Sequence, residues 1–114
     1  MKVALVNLRE PAFEKLLRER SSSIVDGKPR GLCDIVLVGL DTRRDLERLR
    51  HLKTWIEPNG AIWGIRVKGP GAALKDTELI DAGLAAGLVD NKIASFSDTK
   101  GAMRWVFRLR DRPQ

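Results

Sequence analysis

The chain has 114 residues, 43% hydrophobic and 32% charged, with a net charge of +6, one cysteine and one histidine. Such a length is one domain's worth and can bury roughly 65% of its unfolded surface without disulfide staples. No apolar run approaches the ~20 residues that span a bilayer, the start MKVALVNLREP has neither signal- nor transit-peptide character, and Cys33 with His51 cannot supply the usual zinc ligand set.

Lys2–Leu8 (KVALVNL) is a short apolar run rich in β-branched residues, which predicts a buried strand. Pro11 suits a first helical turn, and Phe13, Leu16 and Leu17 recur at helical spacing to about Arg20. Ser21–Ser23 end that helix. Ile24–Val25 form at most a very short strand before the turn chemistry of Asp26, Gly27 and Pro29.

Asp34–Gly39 (DIVLVG) is apolar throughout after its first residue, the pattern of a strand buried on both faces of a parallel sheet. Thr42-Arg43-Arg44-Asp45 reads as a capping box with Asp in place of Glu. The stripe Leu46, Leu49, Leu52, Ile56 then predicts a helix to about Ile56, stopped by Pro58-Asn59-Gly60.

Ala61–Val67 is a strand with Trp63, Ile65 and Val67 on one face, followed by the loop Lys68-Gly69-Pro70-Gly71. Asp76 or Thr77 caps a third helix that turns Leu79, Ile80 and Leu84 inward and ends at Gly87. Val89–Phe96 and Ala102–Leu109 are two strands joined by Ser97–Gly101, a hairpin length. In the second, Met103, Trp105, Phe107 and Leu109 alternate with Arg104, Val106, Arg108 and Arg110. The alternating order predicts a three-layer α/β fold, a mostly parallel sheet closed by an antiparallel hairpin, in a single domain over residues 1–114.

In an open parallel sheet, ligands sit outside the carboxyl ends of the strands at a switch in strand order. That places candidate ligand-binding groups at Asn7, Asp41, Thr42 and Lys68, with Asp90, Asn91, Lys92 and Asp98 as the polar groups of the last hairpin. NLREPAF, after the first strand, has no glycine, which speaks against an ordinary dinucleotide site. KGPGAALK lacks the ending of a phosphate-cradling P-loop, so a flexible turn is preferred, with Lys68 and Lys75 the phosphate alternative. Asp41 and Thr42 are also good helix caps. His51 lies off the apolar stripe of its helix, no GxSxG elbow presents a serine, and Cys33 reads as a small core residue, so no catalytic residue is assigned.

Residues 100–114 carry Lys100, Arg104, Arg108, Arg110 and Arg112 against Asp111, leaving the rest of the chain nearly balanced. Arg104, Arg108 and Arg110 on one strand face are the candidate nucleic-acid contacts, although Trp105 and Phe107 fall on the opposite face. An amphipathic terminal strand also invites self-association. No metal and no membrane is expected, and one cysteine fits a reducing cytoplasm.

DIVLVG, a helix, and then LKTWIEPNGAIWGIRV are similar to the second half of class I methyltransferases. In those proteins a strand and helix lead into an L-x-P-G-G-x-x-W-V turn, with Asn59 standing here at one glycine position. GLAAGLVDNKIASFSDTKGAMRWVF resembles the C-terminal segment of a small uncharacterised bacterial domain family that looks like a trimmed methyltransferase. The resemblance implies a Rossmann-like sheet with the methyltransferase-type antiparallel final strand. For S-adenosylmethionine it implies a glycine-rich turn after the first strand, absent at Asn7–Pro11, and an acid after the second, to which Asp26 corresponds. It further implies a chain shorter than the catalytic members, with no length for a substrate-recognition insert. The expected function is therefore a non-catalytic, degenerate methyltransferase-like domain for ligand binding or interaction. The alternatives are an S-adenosylmethionine-dependent methyltransferase using Asp41, Lys68 and the 90–101 region, and an RNA- or DNA-binding accessory protein.

Overall fold

The computed structural model describes residues 1–21 and 23–111. Ser22 and Arg112, part of the predicted serine break and basic tail, lie outside the described residues. The order is β1 (Lys2–Val6), α1 (Pro11–Arg20), β2 (Ser23–Asp26), β3 (Cys33–Gly39), α2 (Arg43–Leu46) and α3 (Leu49–Leu52). After a 3-10 turn at Lys53–Trp55 come β4 (Ile56–Val67), α4 (Asp76–Ala85), β5 (Leu88–Ser95) and β6 (Lys100–Phe107), then a last 3-10 turn at Leu109–Asp111.

The strands form one sheet in the order β2-β1-β3-β4-β6-β5. The first four are parallel, and β6 runs antiparallel to both β4 and β5. The mixed three-layer sheet expected from the alternating pattern is therefore present. Alternation decides which side each residue serves. Ala4, Val6, Val36, Val38, Ile62, Met103 and Trp105 pack with α2, α3 and α4 in the larger core cluster. Val3, Leu5, Leu37, Ile65 and Ala102 face α1 in a smaller one.

Several boundaries differ from the sequence expectation, each for a physical reason. The helix predicted from Thr42 to Ile56 is two short α-turns and a 3-10 turn, and Ile56 opens β4. Leu46, Leu49 and Leu52 are spaced by three, which a helix tightened toward three residues per turn keeps in one line, and all three are buried. Pro58-Asn59-Gly60 does not stop a helix but lies inside β4, where the pairing with β3 shifts register between Cys33 and Ile35. At Gly60 an added Cβ would sit 2.9 Å from Asp34 O and 3.0 Å from Glu57 O, so that irregular stretch requires glycine.

The α4 cap is Lys75 rather than Asp76 or Thr77; Glu78 reaches back to accept the Lys75 N–H. Leu84 is exposed, because α4 turns Leu79 and Gly83 inward instead, with Ala86 buried just past its end. Leu109 leaves β6 for the 3-10 turn and is 79% exposed. On the other strand face Val106 is buried, so it is not part of a wetted basic surface.

Candidate functional site

From β1 the chain crosses to β2 on one side and then to β3 on the other, so strand order reverses between β1 and β3. Their carboxyl ends, Asn7 and Gly39–Asp41, form the switch point where an open α/β sheet takes its ligands. Asn7 has φ 51°, a left-handed conformation that asparagine tolerates better than most residues. The turn aims its side chain across the sheet: Nδ2 donates to Gly39 O at 2.9 Å and to Asp41 Oδ2 at 3.3 Å. A Cβ on Gly39 would lie 2.0 Å from Asn7 O, so the two strand ends touch through their backbones. Glycine is here a requirement of contact between strands.

The carboxylate of Asp45 accepts N–H bonds from Asp41 (2.8 Å) and Thr42 (3.0 Å), which fixes the turn that follows β3. The capping box predicted at Thr42–Asp45 is formed. Beyond Asp41 a cavity of about 180 Å³ is lined by Leu40, Asp41, Arg66, Val67, Gly71 and Leu74. Arg66 donates to Leu74 O at 2.6 Å and pairs with Asp76, tying the 68–75 loop to β4. Arg66 was missed in the sequence, yet a charge inside an otherwise apolar strand was its signal.

The structure brings Asn7, Asp41 and Thr42 together and leaves the other candidates apart from them. Lys68 is held by the hairpin, with its Nζ on Ser95 Oγ at 2.8 Å and its N–H on Thr99 O at 3.0 Å. Asp98 is an exposed residue of the β5–β6 turn. Asp90, Asn91 and Lys92 sit in the middle of the edge strand β5, where pairing with β6 shifts register between Asp90 and Lys92. Asp26 closes β2 beside β1, where the methyltransferase resemblance puts an acid, and lies 3.8 Å from Arg18.

Arg104 is half-buried in β6 opposite Trp63, Arg108 follows the strand, and Arg110 lies in the final 3-10 turn, so the three do not form one row on the sheet. His51 is exposed, with its ring edge-on to Trp55 at 5.4 Å. Cys33 is buried, and desolvation raises its thiol pKa above the ordinary value, partly offset by the nearby Lys2 charge. It is a core residue in a setting that disfavours a thiolate.

No helix among the described residues is long and apolar enough to cross a membrane. No protein-family model and no curated protein matches the chain. Solved structures do. The chain is similar to CalO1, a methyltransferase in calicheamicin biosynthesis, in its SAH-bound form, with TM-score 0.60, 17% identity, and 75% of this chain and 34% of that one covered. PigF with SAH matches at TM-score 0.62 and 15% identity, over 95% of this chain and 49% of that one. The CcbJ methyltransferase from Streptomyces caelestis matches at 0.59 and 10%, over 93% and 83%. The chain thus spans about a third of CalO1 and half of PigF. At these identities the likeness is one of architecture: the fold is methyltransferase-like.

Proposed function

We propose that this chain is a non-catalytic, methyltransferase-like domain that binds a ligand or partner away from the strand-end crevice. The observation that carries the reading is the Asn7 bridge. Where a dinucleotide- or S-adenosylmethionine-binding sheet presents glycines and open backbone, this chain has Asn7 spanning to Gly39 and Asp41. The Asn7 side chain spans the ends of β1 and β3, and the adjoining cavity of about 180 Å³ is smaller than the usual ligand pocket of roughly 300 Å³ or more. In this reading the Asn7 bridge stands where an adenosyl group would lie across the switch point.

A second reading, S-adenosylmethionine binding, is favoured by one feature, the exposed Asp26 at the end of β2, the position at which the methyltransferase resemblance implies an acid for the ribose. CalO1 and PigF are described with SAH, which gives that reading its motive. Isothermal calorimetry with S-adenosylmethionine and S-adenosylhomocysteine separates the two. The proposal expects no saturable heat from either, and 1:1 binding in the micromolar range would overturn it.

A further inference from the structure

The two faces of the sheet are covered unequally. Against α2, α3 and α4 the side chains are sealed, with Val36, Leu49, Leu79 and Trp105 fully buried. On the other face α1 stands without a single buried residue, and its Leu16 is 59% exposed. A cavity of about 280 Å³ opens between α1 and the sheet, lined almost wholly by apolar groups including Leu17, Ile35, Leu37, Trp63, Ile65 and Phe96. Phe13 and Phe96, with ring centroids 4.8 Å apart, close the end nearest the strand carboxyl termini. Glu10 and Lys100 pair at the same end.

One row of the sheet runs outward from this cavity. Leu37 pairs with Trp63, Trp63 with Arg104, and Arg104 with Lys92, across β3, β4, β6 and β5. Residues directly paired share a face, so the cationic pair continues the floor on which Leu37 and Trp63 lie. Like charges placed directly opposite one another destabilise a sheet. Among the described residues, neither the Arg104 nor the Lys92 side chain has a hydrogen-bond or ion-pair partner. An anion seated between them would convert that repulsion into attraction. A guanidinium beside an ammonium is a suitable seat for a carboxylate.

We propose that this face binds an amphipathic carboxylate, its aliphatic body in the cavity under α1 and its carboxylate between Arg104 and Lys92. The inference names a ligand class for the non-catalytic reading and rests on it. A second copy of the chain is disfavoured as occupant, since a two-fold contact would bring two such cationic pairs together on chains of net charge +6. Single-stranded RNA would call for a platform of exposed aromatics, whereas this floor is an apolar hollow with Trp63 at its edge.

The test uses decanoate, decanol and a short oligouridylate, with calorimetry and thermal melting of the whole chain below the micelle concentration. Decanoate should bind 1:1 and raise the melting temperature, with decanol weaker by roughly tenfold or more, as expected for loss of charge-assisted bonds. Arg104→Gln and Lys92→Gln should each keep the fold, lose that discrimination, and leave decanol binding unchanged. Equal binding of decanoate and decanol, or a decanoate response that survives both substitutions, would overturn the proposal. So would oligouridylate binding through Arg104 without a decanoate response. If S-adenosylmethionine binds while decanoate discrimination persists, the carboxylate site stands and the non-catalytic reading fails.

Discussion

Asn7 carries three constraints at once: a left-handed backbone, a bond to Gly39 O and a contact with Asp41. Asn7→Ala should lower stability by about 2 kcal/mol, summing one lost hydrogen bond and the penalty for alanine at positive φ. Asn7→Gly loses the bond but not the conformation, and should cost about half as much. Urea unfolding checks the order: an Asn7→Gly variant as stable as the parent would mean that the side chain does not bridge the strands, and equal losses would mean that the left-handed backbone carries no penalty. At Glu78 the leading influence is the hydrogen bond from Arg43, then the Lys75 N–H, and together they hold the carboxyl below the ordinary carboxylate range. A depressed folded-state pKa contributes stability above the unfolded value and loses it as pH falls through the folded one. Arg43→Gln should move the Glu78 midpoint back upward in an NMR titration, and an unmoved midpoint would show that the pair is not populated.

Periodicity and capping made α1 and the last hairpin legible in the sequence, but at Thr42–Ile56 the same signals marked one long helix where the chain makes short turns and enters β4. Helix α1 runs Pro11–Arg20 as Pro11 and the Phe13–Leu17 spacing predict, and the β5–β6 hairpin lies within a residue or two of its turn signal. Legibility failed where a small residue mattered more than a large one. On α4, Leu84 looked like the inward residue, but the buried line passes through Gly83, whose open face receives the Trp105 ring. A Cβ there would lie 2.4 Å from Trp105 Nε1. Gly83→Ala gains up to about 1 kcal/mol of helix propensity and loses roughly 1–3 kcal/mol to overpacking. The packing should win, giving a net loss in chemical denaturation; a stabilised variant would mean that the indole moves aside at no cost. The bridge at Asn7 was equally hidden, since a pairing 32 residues apart follows from sheet order and not from local pattern.

The molecule as a whole keeps the switch point of a methyltransferase-like sheet while shortening the path around it. Residues 27–32 alone join β2 to β3, passing β1, where parallel strands ordinarily need a crossover of about a dozen residues. The gap is about 16 Å, two strand spacings across and about four residues along, and six residues reach roughly 20 Å when extended. Lys2 Nζ holds this strap at Arg30 O, 2.6 Å away. Strand β2, four residues long with no buried residue and one paired edge, should exchange its amide protons orders of magnitude faster than β3 and β4 at the sheet centre. Equal protection would mean that the strap and edge unfold only with the whole domain. The central claim, that the Asn7 bridge keeps an adenosyl group out of the strand-end crevice, is tested most directly by a crystal structure grown with excess S-adenosylhomocysteine. The account predicts no density between the ends of β1 and β3, with Asn7 Nδ2 still bonded to Gly39 O. An adenosyl group lying there with Asn7 swung aside would contradict it.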